Sequence, residues 1–197
     1  MRLHSTSVAR FTQPVMPHDP ARWAIVASWN RCTHLSASTA PVYHRVTEAE
    51  LGVRLARREA LVCAALPRLE ALLARLPGTS NVACVTDEDA VVLASIGDPS
   101  HLQRFRLLPG YDRSERRLGT NATGTCLVAA RPMVVAGAEH LMNAFRECTC
   151  TAAPIRGPDG TIVGALDVSS SAADARAPRM AQVTEVALEI ERLLGRA

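Results

Sequence analysis

Gly119-Thr120-Asn121-Ala122-Thr123-Gly124-Thr125-Cys126 opens the segment from Leu118 to Ser169 around which the rest of the chain is arranged. Its two glycines let the backbone turn tightly and approach a neighbouring group closely. Thr120, Asn121, Thr123 and Thr125 offer short polar side chains that cap a helix or bond nearby backbone. A phosphate-binding loop would need a lysine after its second glycine, and the chain contains no lysine, so nucleotide hydrolysis is excluded. Asn121-Ala122-Thr123 fits the glycosylation tripeptide, but no signal-peptide pattern precedes it and the match is taken as chance. Downstream, Ala138-Glu139-His140-Leu141-Met142-Asn143-Ala144-Phe145 reads as a helix leading into Cys148-Thr149-Cys150-Thr151-Ala152-Ala153-Pro154-Ile155. A Gly157-Pro158-Asp159-Gly160 turn and a second apolar run, Thr161 to Ser169, follow. The pair predicts a β-hairpin, since proline presets the first turn torsion and glycine accepts a positive φ.

Four blocks stand in order along this segment: Gly119-Thr120-Asn121-Ala122-x-Gly124-Thr125, Gly137-Ala138-Glu139-His140, Thr149-Cys150-Thr151-Ala152-Ala153-Pro154-Ile155 and Gly164-x-Leu166-Asp167-Val168-Ser169. Together they resemble the sensory GAF domain of acetoin-regulator-type, enhancer-dependent bacterial transcription activators. Ala27-Ser28-Trp29-x-Arg31-Cys32 is similar to the segment that precedes the sensor in the same activators. The resemblance implies a GAF fold, a pocket between one sheet face and the helices and loops over it, and a homodimer.

Composition bounds the function. The 197 residues fit one domain with helical extensions, and with 48% apolar and 21% charged residues the chain is of ordinary globular class. No apolar run approaches the roughly 20 residues that cross a membrane, and a soluble, cytoplasmic protein is expected. The net charge of +3 is carried by dispersed arginines, so direct nucleic-acid binding is not expected. Without lysine, Schiff-base and pyridoxal chemistry are excluded. The six cysteines read as reduced thiols, with Cys32, Cys63 and Cys84 as small buried hydrophobes.

Taken in order, Met1 to His18 show no periodicity and predict a flexible arm. Asp19 caps a helix with Pro20 at its first position, and Trp23, Val26 and Cys32 or Thr33 fall near one face; residues 19–46 are expected to be this helix and a linker. Thr47-Glu48-Ala49-Glu50 has capping-box spacing and starts a long helix striped by Leu51, Leu55, Val62, Leu66, Leu69, Leu73 and Leu76, kinked at Pro67. Residues 81–86 and 90–95 read as a strand pair across Asp87-Glu88-Asp89. The stretch from Asp98 to Arg117 carries little signal beyond a short helix near Leu102 and Phe105. Pro178 starts a last helix striped by Met180, Val183, Ala187, Ile190 and Leu194. The expected class is α+β: a GAF-like antiparallel sheet flanked by N- and C-terminal helices, with residues 47–197 as the sensory domain.

Candidate ligand-binding residues are Cys126, His140, Cys148 and Cys150. Strand alternation puts Cys148 and Cys150 on one face and Thr149, Thr151 and Ala153 on the other, and either face could line the pocket. Cys148-x-Cys150 with Cys126 and His140 also invites a zinc reading, but structural zinc pairs are spaced by two to four residues, and no metal ligand set or cofactor is assigned. A redox role would need an accessible, low-pKa thiol. Glu139 beside His140 invites acid/base chemistry, yet adjacent helical residues point about 100° apart; capping or pocket roles fit the family motif better. The leading expectation is a non-catalytic domain that senses a small organic metabolite and signals to transcription. It would act as a stand-alone protein through a partner, or as one part of a longer regulator, since no ATP-binding motif is present. The alternatives are a thiol-dependent, methionine sulfoxide reductase-like GAF enzyme and a metal or redox sensor built on Cys148 and Cys150.

Overall fold

Thr47 and Glu50 form the reciprocal cap that their spacing predicts: the Thr47 hydroxyl accepts from the Glu50 N–H at 3.2 Å and the Glu50 carboxylate from the Thr47 N–H at 2.8 Å. The computed structural model in which they are seen describes residues 20–35, 41–78, 80–171 and 179–195. The predicted arm, the cap at Asp19 and the helix start at Pro178 lie outside these. Helix α1 (Pro20–Arg31) has proline at its first position as expected, but buries Ile25, Ser28 and, just beyond it, Cys32, leaving Trp23 56% exposed.

The long helix breaks at Arg58, not at Pro67, into α2 (Glu48–Arg57) and α3 (Glu59–Arg75). That break rotates the apolar stripe. Leu61, Ala65, Leu69, Leu72 and Leu76 are buried, while Val62, Leu66 and Leu73 ride half-buried on the flank and Cys63 is exposed, contrary to its expected burial. Strands β1 (Val82–Asp87) and β2 (Val92–Gly97) pair as predicted. Asp98 caps α4 (Pro99–Phe105), a single turn α5 (Glu115–Leu118) follows, and Asn121 caps α6 (Ala122–Ala129), its carboxamide oxygen accepting from the Gly124 N–H at 3.0 Å.

Strand β3 (Met133–Ala136) has no counterpart in the sequence reading, and the helix expected over Ala138–Phe145 is two 3-10 turns, Gly137–Glu139 and Asn143–Phe145. Gly137 enters them at a positive φ of 53°, and the Glu139 carboxylate accepts from the Ala136 N–H at 2.9 Å, which closes the first turn before a second helical turn can form. The hairpin β4 (Cys148–Arg156) and β5 (Ile162–Ser171) is present, and α7 (Met180–Leu194) ends the described chain.

The five strands lie antiparallel in the order β2-β1-β5-β4-β3, giving the α+β, GAF-like architecture. Alternation splits the interior in two. Ala83, Val85, Ala153, Ile155, Leu166 and Val168 point to α3 and α7, where each fully buried leucine or isoleucine contributes about 1.5–3 kcal/mol. Val82, Cys84, Cys148, Cys150, Ala152 and Ala165 point the other way, to α1, α4 and α6. No helix among the described residues is long and apolar enough to cross a membrane.

Candidate ligand-binding site

The second face holds a buried carboxylate with an unpartnered oxygen. In β5 the residues that point there are Ala165, Asp167 and Ser169; Asp167 pairs with Cys84 on one side and Ala152 on the other, and Ser169 with Cys150. Asp167 is 1% exposed. One of its oxygens, Oδ2, accepts from Ser169 Oγ at 2.7 Å, and that hydroxyl also lies 3.1 Å from Cys150 Sγ. Thr123 of α6 faces the carboxylate without closing a hydrogen bond to it. Oδ1 has no partner. Burial pushes the Asp167 carboxyl up to about 6, against the pull of Ser169, the Arg113 charge and Thr123.

Arg113, 3% exposed, leads from the loop after α4 into the same region. Its Nη1 donates to the Phe105 carbonyl at 3.0 Å, and its guanidinium carbon stands 4.9 Å from the centre of the Phe145 ring. Its Nε has no partner. Among the described residues no ion pair joins Arg113 to a carboxylate or Asp167 to a cation, yet the Arg113 charge acts on Asp167, Cys84, Cys148, Cys150 and His140. Two opposite charges are therefore buried near each other without touching.

Of the residues singled out from sequence, Cys126, Cys148 and Cys150 come together on this face. Their thiols are held protonated: burial beside Asp167 raises Cys126 and Cys150 well above the ordinary thiol range and Cys148 to about 11. Among the described residues, no three His, Cys, Asp or Glu groups are arranged to hold a metal ion. His140 stands between the two 3-10 turns, 1% exposed, its ring 6.0 Å from that of Phe145. Nδ1 lies 3.2 Å from the Gly137 carbonyl, Nε2 has no partner, and burial lowers the ring to about 4, so it is neutral. Glu139 does not act with it. Its carboxylate is taken by the Ala136 N–H and an ion pair with Arg22.

Helix α1 fastens these pieces. Trp29 Nε1 donates to the Glu139 carbonyl at 2.9 Å, Ser28 Oγ is 2.8 Å from Thr120 Oγ1, and Arg31 holds the buried Glu115 carboxylate with two bonds of 2.9 and 3.0 Å. Asp167 and Arg113 carried no site reading in the sequence. Asp167 had a usable signal, as a lone acid in an apolar strand on the same side as Ala165 and Ser169; Arg113 had none.

A family model described as the MimR N-terminal domain matches residues 12–189. The chain is 33% identical over 181 residues to AcoR, the acetoin dehydrogenase operon transcriptional activator of Bacillus subtilis, a match that covers 88% of this chain and 30% of AcoR. It is 32% identical over 120 residues to MimR, the propane 2-monooxygenase operon transcriptional activator of Mycolicibacterium smegmatis, covering 58% of this chain and 21% of MimR. The chain thus spans 30% of AcoR's length. Among solved structures it is similar to the crystal structure of the E. coli DhaR(N)-DhaL complex, with a TM-score of 0.82 at 22% identity over 88% of this chain and 61% of that one, a likeness of fold.

Proposed function

The chain belongs to the MimR N-terminal domain family, and from that premise we propose that it binds a small organic metabolite on the Asp167 face of its sheet and passes the occupied state to the machinery of transcription. AcoR and MimR are transcriptional activators. One observation carries the reading: Asp167 Oδ1, Arg113 Nε and His140 Nε2 are buried with nothing to bond, Arg113 and His140 both lying against Phe145 and the Arg113 charge acting on Asp167 and His140 alike. An unsatisfied buried polar group costs about 1–3 kcal/mol, and native structures leave few of them without a purpose. A ligand that supplies the missing bonds recovers this cost only when the domain is folded around it.

The thiol-enzyme and redox readings have less support, because both need an accessible thiolate and the thiols of this face are buried and protonated. We place the sensory body at residues 47–197, with α1 of the 19–46 segment lying over it. Output runs through a protein contact, as a homodimer joined along α3 or α7, through a separate partner, or both. DhaR(N) is seen in complex with DhaL, which supports a protein partner here.

The test is a thermal-shift screen of short diols, ketones, alcohols and carboxylic acids on wild type and on Asp167→Asn. A ligand at a hundredfold excess over its dissociation constant should stabilise wild type by about 2.7 kcal/mol, and the variant should respond much less. Hits that stabilise both proteins equally would remove the site from the reading, and an empty screen would remove the ligand class.

A further inference from the structure

We infer that the site selects a compact diol: a net-neutral molecule that donates one hydrogen bond to Asp167 Oδ1 and one to His140 Nε2, and accepts one from Arg113 Nε. The inference rests on the sensing reading above and adds the chemistry of the ligand.

Each end is fixed by what its other atoms already do. The Gly137 carbonyl, 3.2 Å from His140 Nδ1, can only accept, so Nδ1 carries the ring proton. A neutral imidazole has one proton, so the unpartnered Nε2 presents a bare lone pair. Asp167 already receives Ser169 at Oδ2, and an ionised carboxylate only accepts, so Oδ1 asks for a donor too. Arg113 Nε–H only donates. The site therefore offers two acceptors and one donor.

A hydroxyl both donates and accepts, so two of them answer all three demands. A ketone oxygen satisfies Arg113 alone and leaves both buried acceptors without a donor. A carboxylic acid in its ionised form would bring a second negative charge against Asp167, and an amine would bring a second positive charge against Arg113. Because those two charges already offset one another, a neutral ligand is favoured. Compactness follows from closure: all three residues are nearly wholly buried, with Phe145 beside both Arg113 and His140.

The test holds the carbon skeleton constant. Propane-1,2-diol, hydroxyacetone, propan-1-ol and propanone are titrated into the 197-residue chain at neutral pH and followed by calorimetry. The diol should bind about tenfold tighter than either one-donor compound, and these about tenfold tighter than propanone. His140→Phe, which keeps a flat ring and removes the acceptor, should bring the diol to the affinity of propan-1-ol. Nitrogen-15 spectra of histidine-labelled wild type give a readout independent of that variant's folding: His140 Nε2 should be unprotonated and should shift with the diol but not with propanone. Equal or tighter binding of propanone, a protonated Nε2, an Nε2 that answers only to water, or no binding of the series at tens of millimolar would each overturn the inference. A ketone or acid found instead in the wider screen would overturn it and leave the sensing reading standing; an empty wider screen would end both.

Discussion

Asp167 is the residue on which the site's energetics turn, and its raised carboxyl fixes the sign of a pH effect. A folded-state value of about 6 against an ordinary 3.8 means that the folded protein holds this proton more tightly than the unfolded chain. The stabilisation is therefore full below about pH 4 and lost as pH rises through about 6. At neutral pH the ionised group costs on the order of 2–3 kcal/mol, so Asp167→Asn should melt higher than wild type at pH 7.5 and lose that advantage on titration below pH 4. Cys84, Cys126, Cys148 and Cys150 are raised thiols and stay protonated across that window, while His140, lowered to about 4, is present in both proteins and so cancels in the comparison of wild type with Asp167→Asn. A second expectation concerns Gly119, whose φ is 65° and where a Cβ would fall 2.2 Å from a Leu141 side-chain carbon. Gly119→Ala should destabilise by more than about 1 kcal/mol in denaturant melts. Gly124 has no such torsion; a Cβ there would meet the Glu115 backbone nitrogen at 2.7 Å, so its smallness, and not its freedom, is what the fold uses. The thiols and His140 stood out in sequence because their residue types are rare and chemically marked. Arg113 was one arginine among many, and only tertiary packing against Phe145 and the Phe105 carbonyl sets it apart.

At the level of elements, what could be foreseen was what local chemistry decides. The Thr47 cap, a helix cap from among Thr120, Asn121, Thr123 and Thr125, both hairpins and the last helix follow from turn residues, caps and periodicity, and each is present, Asn121 being the cap of that set. Features set by the rest of the fold could not be read. The break at Arg58 has no proline or glycine to announce it, and β3 is a four-residue edge strand defined by its pairing with β4. Of the face expected for α1 (Trp23, Val26 and Cys32 or Thr33), Cys32 is buried but Trp23 is exposed and Val26 half-buried; the fold instead buries Ser28, because Thr120 and Thr125 supply hydroxyl partners at 2.8 and 3.3 Å. The same helix gives a test. Burial alone would raise Glu115, but the bonds from Arg31, Ser28 and Thr125 outweigh it and hold the carboxyl below the usual range. Arg31→Ala leaves this carboxylate buried without its cation and should cost about 1–3 kcal/mol. The loss should be concentrated in faster amide exchange across α1, and exchange unchanged there would mean that the pair does not hold the helix down.

For the whole molecule, the sheet separates the apolar cluster packed on α3 and α7 from the cluster under α1, α4 and α6, beside which the proposed site lies. The proposed homodimer would use the outside of the first layer. Ile190 is wholly buried and its replacement by a charge would unfold the domain, but Leu188 is 48% exposed on the far side of α7, beside Met180, Thr184 and Pro132. Leu188→Asp should therefore lower the mass seen by light scattering while leaving the melting temperature within about 1 °C; a wild type that is monomeric at every concentration would dispose of the dimer. The fastening of α1 has an optical consequence. Both tryptophans of the chain, Trp23 and Trp29, belong to that one helix, so fluorescence excited selectively in tryptophan reports on α1. With Trp23→Phe the remaining indole is the one bonded to the carbonyl of Glu139, the residue next to His140. Its emission maximum would give a dye-free gauge of occupancy of the proposed site, readable in a stopped-flow instrument on the timescale of binding.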